Sequence, residues 1–358
     1  MGAPQSRRGA PVRRGGRGRG RVPGLLRGLH RPRHPGGVMT VRRCATDPDC
    51  AACTAAAGPL PGETGATRDG LRVRTWGGDG PTVLWVHGYT MDATLWRPLW
   101  RLLPGLRHVG VDLPGHGGSA PLDPGTTLPA LAARVLELAR AEGARRWVGL
   151  SFGSTVTLQM ALDAPGAVDR LALGAPTPAG GPPDPAARKR YIELLMLRRM
   201  RGPAAADQLA DLWMASPPDI FRGTEAHPGL RSRIRAVVAR HSWAELDNGA
   251  MAALSAHTHP PEDLSRITAD TLALTGADDM PVFHSNAALL AVELPRCRTE
   301  VVPDAGHLPF LERPLAVAPV LAAHLAGGPV STEHVRDLRA TTTNAPRIKE
   351  FMGEEPPV

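Results

Sequence analysis

Four cysteines in 358 residues exclude a small disulfide-stapled domain. Cys44, Cys50 and Cys53 follow a C-x5-C-x2-C spacing with no fourth ligand at a zinc-site interval, and Cys297 stands alone, so free thiols are expected. Long apolar runs are also missing. None approaches the roughly 18 residues that a spanning helix needs, so no membrane partner is expected. The Arg-rich N-terminus holds no signal-peptide core, because its longest apolar stretch, Val22 to Leu29, is broken by Pro23, Gly24, Arg27 and Gly28. A cytoplasmic location is the default. Lysine is nearly absent, with only Lys189 and Lys349, which reads as nucleotide-composition bias rather than chemistry. There is no internal repeat. No G-x-x-x-x-G-K-[ST] loop and no strand-placed G-x-G-x-x-G occurs, so a nucleotide cofactor is not indicated.

What is present is an uneven charge. The net +8 and pI near 10.2 would suggest a nucleic-acid partner if spread over the fold. Residues 1–43 hold 12 Arg and no acid, which leaves 30 basic against 34 acidic residues from Cys44 onward, a mildly acidic body. Residues 1–65 alternate Arg, Gly and Pro with almost nothing to bury and are expected to be a disordered extension. An RNA-contacting arm is one reading of that segment. The blander one is that the natural start is Met39 and the upstream residues are a gene-model extension. Nucleic acid is therefore disfavoured as a partner. Residues 327–358 are polar, carry no motif and are expected to be a flexible tail.

Between these ends, short apolar runs alternate with helical patterns in an α/β rhythm. Thr82 to Val86, Arg107 to Val111, Trp147 to Leu150, Arg170 to Leu173, Thr271 to Leu274 and Thr299 to Val302 read as strands, the first ones buried and parallel. Helical patterns cover Thr94 to Leu103, Leu128 to Ala141 and Ser154 to Leu162. Residues 175–270 are too long for one crossover. Their helical patterns, at Ala186 to Met200, Ala204 to Met214, Leu230 to His241 and Trp243 to Ala256, predict a helical cap. The core is then 66–174 and 271–326.

The sharpest signal is Gly149-Leu150-Ser151-Phe152-Gly153, set between a predicted strand and a predicted helix. A strand that turns abruptly into a helix strains the central residue, and side-chain-free neighbours relieve the crowding. The hydroxyl of Ser151 is then exposed, and the Phe152 amide can donate to an oxyanion, backed by the helix dipole. A hydroxyl nucleophile needs a base and an orienting acid, expected in the order serine, acid, histidine. His307, in the loop Asp304 to Pro314 after the last predicted strand, is the expected base. Asp279 in Thr275-Gly276-Ala277-Asp278-Asp279 is the preferred acid, with Asp278 the alternative. The amide of Tyr89, in His87-Gly88-Tyr89-Thr90, is the candidate second donor, and His87 is read as a structural hydrogen-bonding residue. Asp112 to Ser119 is read as a glycine-rich turn rather than a second catalytic pair.

Together these pieces resemble the α/β-hydrolase family, in its cap-bearing serine hydrolase branch, over about Thr67 to Ala326. The matching residues are His87-Gly88, Asp112 to Ser119, Gly149 to Gly153, Gly276 to Asp279, and Gly306-His307 with Glu312-Arg313-Pro314. The resemblance implies an α/β fold with a mostly parallel eight-stranded sheet flanked by helices and a cap after the sixth strand. It also implies a Ser151, Asp279 and His307 triad, with Tyr89 and Phe152 as donors. Serine at the elbow argues against the dehalogenase and epoxide hydrolase branches, which use Asp there. An esterase, lactonase or thioesterase acting on a small molecule is expected, without cofactor or metal. Acyl transfer, carbon-carbon hydrolysis or a non-catalytic binding protein are the alternatives, and the oligomeric state is not addressed by any residue. Leu194, Leu195, Met196, Trp213, Trp243 and Met251 suggest an apolar wall, although such spacing more often packs a cap. His257 and His259 lack the partners of a metal site.

Overall fold

A computed structural model describes residues 58–181 and 184–327. Strands β3 (Thr82–Val86), β4 (Arg107–Val111), β5 (Arg146–Leu150) and β6 (Arg170–Gly174) each begin with a half-buried polar residue and continue with four buried ones. Uninterrupted burial is what a sheet covered on both faces demands. Period-two alternation still operates within it. Val83, Trp85, Val148, Leu150 and Ala172 enter one apolar cluster, and Leu84, Val86, Trp147, Leu171 and Leu173 enter another. β3, β5 and β6 therefore feed two cores, whereas β4 gives Val109 and Val111 to the second alone.

With β1 (Thr64–Arg68), β2 (Leu71–Gly77), β7 (Asp270–Gly276) and β8 (Cys297–Val302), the sheet has eight strands in the order β1-β2-β4-β3-β5-β6-β7-β8. β2 runs antiparallel to β1 and β4, and all other pairs are parallel. The expected mostly parallel eight-stranded sheet is thus present. The N-terminal boundary needs correction, since Thr64 and Gly65 belong to β1 and Leu60 is buried. Glu63 holds the Arg97 guanidinium with both oxygens, at 2.7 and 2.8 Å, and fixes that segment to the body. The rest of the Arg/Gly/Pro stretch, the three clustered cysteines and the tail beyond Gly327 lie outside the described residues.

Helices α1 (Arg97–Leu102), α2 (Leu128–Ala141) and α3 (Phe152–Asp163) connect the first strands. Between β6 and β7 lie α4 (Pro185–Arg201), α5 (Ala206–Met214), α6 (Pro228–Val238), α7 (Glu245–Asn248), α8 (Ala250–Ser255) and α9 (Pro261–Leu264). Gly249, at φ 71°, breaks the expected helix of 243–256 into α7 and α8. α10 (Pro281–Glu293), α11 (Pro309–Glu312) and α12 (Pro314–Ala326) complete the order. Among the described residues, no helix is long and apolar enough to cross a membrane.

α4 packs Leu194 into the core between two buried arginines and leaves three apolar side chains outside. It buries Arg190 and Arg198, at 7% and 6% exposure, while Ile192, Met196 and Met200 stand at 51%, 51% and 69%. The Arg190 guanidinium donates to the carbonyls of Leu212, Ala215 and Pro217, which satisfies backbone groups left over at the end of α5. Arg198 pairs with Asp247 of α7 at 2.6 Å.

Candidate active site

β5 carries Ser151 to the C-terminal edge of the sheet, and the chain then turns directly into α3. Ser151 has φ 52° and ψ −117°, a conformation that side chains avoid and that costs on the order of 1–3 kcal/mol. Its neighbours hold it there. The Ser151 amide donates to Gly174 O at 2.8 Å, and its carbonyl accepts from the Ser154 amide at 2.7 Å and the Ser154 hydroxyl at 2.6 Å. Both glycines of the elbow are enforced by contact. A Cβ on Gly149 would lie 2.5 Å from Thr157 Oγ1, and one on Gly153 would lie 2.2 Å from Val86 O. Any other residue at either position forces strand and helix apart.

The loop after β8 places His307, almost fully buried, with Nε2 2.9 Å from Ser151 Oγ. Its Nδ1 lies 3.1 and 3.4 Å from the two oxygens of Asp279. A proton on Nδ1 is donated to the carboxylate, which leaves Nε2 free to accept the serine proton. Asp279 Oδ1 also accepts the Met280 amide at 2.8 Å, so the carboxylate is fixed from a second side. Asp278 is exposed, and its amide rather than its side chain secures the turn, through Ala305 O at 2.9 Å. Of the adjacent pair, Asp279 is the one brought to the imidazole. Gly276 brings the two loops together: a Cβ there would come within 2.2 Å of the Ala305 and Gly306 carbonyls. Phe283 of α10 packs on the imidazole with ring centroids 4.2 Å apart.

The expected donor amides are those of Tyr89 and Phe152. Among the described residues, neither the Tyr89 nor the Phe152 amide donates to another backbone carbonyl, and Phe152 opens α3. The Tyr89 loop lies in contact range of the elbow: a Cβ on Gly88 would meet Leu150 O at 3.4 Å and Ser151 Cβ at 3.6 Å, both ordinary contacts. His87 is structural. Its Nε2 accepts the Leu113 amide at 2.9 Å, so its proton sits on Nδ1 and goes to Gly88 O; burial holds its pKa below the ordinary value. Asp112 accepts from Ala93 N, Gly118 N and Arg74 Nη1 at 2.7–2.9 Å, and this builds the glycine-rich turn.

A model described as the alpha/beta hydrolase family matches residues 83–320. The chain belongs to that family. It is 30% identical over 271 residues to the dihydrolipoyllysine-residue acetyltransferase component of the acetoin cleaving system of Cupriavidus necator, covering 72% of this chain and 68% of that one. It is also 30% identical over 261 residues to the pimeloyl-(acyl-carrier protein) methyl ester esterase of Xanthomonas campestris pv. campestris, covering 70% and 98%. The crystal structure of a hydrolase from Pseudomonas aeruginosa PA01 superposes with a TM-score of 0.61 at 26% identity, covering 74% of this chain and 99% of that one.

Within this alpha/beta hydrolase, two arrangements were not visible in the sequence. Glu312, buried at the end of α11, accepts the Gly306 amide at 2.6 Å and the Leu308 amide at 3.1 Å, and so grips the loop on both sides of His307. Burial raises its pKa, against these two hydrogen bonds. The Glu312-Arg313-Pro314 run was part of the motif, but nothing in it gave Glu312 a task. The second arrangement lies on the Tyr89 side chain, whose hydroxyl donates to Glu245 Oε1 at 2.6 Å. The same oxygen lies 2.9 Å from His241 Nε2. The His116 and His241 rings meet tilted by 42° with centroids 4.6 Å apart, and burial drives the His116 pKa well down.

The suggested apolar wall dissolves into packing. Leu194, Trp213 and Trp243 are buried in the cluster shared with the sheet, Leu195 packs against it, and Met251 packs on the opposite cluster. Met196 faces outward. His259 Nδ1 accepts the Ala179 amide and Nε2 faces Gln159 Oε1, so this ring ties the chain before β7 to α3. Cys297 is a free thiol, pushed by burial to about 11.

Proposed function

We propose that this alpha/beta hydrolase is a serine hydrolase that cleaves an ester-like bond of a small, partly apolar molecule through an acyl-enzyme on Ser151. The observation that carries the reading is the single line of hydrogen bonds from Ser151 Oγ through His307 to Asp279, at 2.9 and 3.1 Å. His307 takes the hydroxyl proton as Oγ attacks the carbonyl, and Asp279 stabilises the imidazolium. The Tyr89 and Phe152 amides receive the oxyanion. The proton on His307 passes to the leaving group, and water attacks the acyl-enzyme by the same route in reverse. Residues 175–270 are proposed as a cap over this edge of the sheet, supported by the Tyr89 to Glu245 and Trp213 to Thr90 hydrogen bonds. The esterase name of the Xanthomonas relative supports the ester assignment.

Acyl transfer to an alcohol or thiol is the second reading, favoured by the acetyltransferase name of the Cupriavidus relative. A fluorophosphonate adduct, read by intact mass, tests the common step. Wild type should gain one adduct that Ser151→Ala and His307→Ala lose; a folded wild type that gains none refutes both readings. Supplying an acceptor alcohol together with an ester, with product masses recorded, separates transfer from hydrolysis.

A further inference from the structure

The outer face of α4 carries a row of exposed apolar side chains. Six large apolar side chains are exposed there and elsewhere, and three of them, Ile192, Met196 and Met200, lie on this one helix. Their spacing of i, i+4, i+8 sets them in a row. At 3.6 residues per turn, Arg188, Lys189 and Arg199 fall with them inside an arc of about 120°. All three cations are exposed. Lys189 reaches Glu193 only at 3.9 Å, and neither Arg188 nor Arg199 joins an ion pair among the described residues. An open depression of about 480 Å³, lined by Pro185, Arg188, Lys189, Ile192 and Glu193, continues the patch at its N-terminal end. Meanwhile the arginines that could have faced solvent, Arg190 and Arg198, are spent inside on carbonyls and Asp247. The helix keeps its apolar row outside although it has arginines to show there.

We infer that this face of α4 docks on an anionic lipid surface. Apolar residues interleaved with cations on one exposed helical face are what an interfacial helix presents, and such a helix needs no spanning run. That is why a search for long apolar runs expects no membrane partner and passes over this helix. Charge excludes the nearest competitors. A second copy would oppose Arg188, Lys189 and Arg199 to themselves, and the chain's own first 43 residues carry 12 Arg and no acid. Area argues against a protein partner. The three apolar side chains offer on the order of 300 Å², against about 800 Å² per partner in a standard protein interface. Lipid asks for less, since a few inserted side chains and a Coulombic attraction of the headgroups suffice. Methionine adapts readily to such a fluid partner.

Co-sedimentation of the full chain with vesicles tests this. Phosphatidylcholine vesicles carrying about 30% phosphatidylglycerol should pellet the wild type, with binding weakened at least about tenfold on pure phosphatidylcholine or at high salt. Two variants separate the parts. Ile192→Ser with Met200→Ser should lose about tenfold in binding at unchanged vesicle charge, and Arg188→Glu with Lys189→Glu and Arg199→Glu should lose the phosphatidylglycerol dependence. Each position is exposed, so both variants should keep the wild-type melting temperature, and the charge variant alone is decisive should the apolar one misfold. A wild type that stays in the supernatant with anionic vesicles overturns the assignment. So does binding that both variants retain. Capture of an acidic protein in the absence of vesicle binding would transfer this face to a protein partner and likewise reject the lipid.

Discussion

Two buried histidine–carboxylate pairs lie close to the sheet edge, and they are wired in opposite ways. In the first, His307 stands between Asp279 and Ser151, so the imidazole links acid to hydroxyl. In the second, Glu245 stands between His241 and Tyr89, so the carboxylate is the link and, among the described residues, His241 Nδ1 is buried without a partner. The ingredients are the same: an imidazole, a carboxylate and a hydroxyl, each within about 3 Å of the next in line. Only the first order can move a proton off the hydroxyl through the ring. The second can only hold the hydroxyl still. Catalytic capacity therefore resides in the sequence of contacts, and residue content alone does not reveal it.

Substitutions break this comparison in graded steps. Ser151→Ala should cost about ten-thousandfold or more in kcat on a p-nitrophenyl ester, because no other hydroxyl joins the first pair. Asp279→Asn should cost about a thousandfold through loss of the imidazolium partner. Asp278→Asn, at the exposed neighbour, should stay within about twofold, and a larger loss there would reassign the acid. Glu312→Gln removes one of the two acceptors gripping the His307 loop and should lower kcat by roughly tenfold to a hundredfold with KM little changed. In the second pair, Glu245→Ala and Tyr89→Phe should each lower kcat by about tenfold, and the double variant should be no worse than either. Additive losses would show that the two side chains act independently, contrary to a holding role.

The weakest effect concerns histidines that, among the described residues, hydrogen-bond to no carboxylate. Burial pushes His108, His259 and His324 down to about 4. Unfolded, these rings take up protons near pH 6.5 that the folded protein refuses. Stability is therefore complete above that value and falls as pH drops from 6.5 toward 4. Melting temperature measured across this window should decline, and His324→Gln should flatten the slope. A melting temperature unchanged down to pH 4 would remove these histidines as determinants.

The legible parts of the sequence were those in which local chemistry dictates position. Gly149 to Gly153 announced itself because a strand-to-helix turn leaves no space for side chains, and His307 and Asp279 followed from chain order. The four central strands read as apolar runs because both faces are covered. β1 stayed hidden because all five of its residues are exposed, whereas the Leu71, Val73 alternation of β2 was an available signal. Tyr89 and Glu245 are 156 residues apart, and no local pattern links them. The outward Met196 was misjudged for a related reason. Helical spacing shows which residues share a face but leaves open which face turns inward, and here Leu194, Arg190 and Arg198 turn in while Met196 turns out.

Gly276 makes the acid and base loops behave as one part. Because backbone meets backbone there, the separation between Asp279 and His307 is set by the packing of two main chains rather than by rotamer choice. An engineer who wished to transplant this pair into another sheet would have to carry both loops as a single cassette with the glycine at their junction. Conversely, any bulk introduced at position 276 would act as a spacer, pulling base from acid while leaving every named side chain intact.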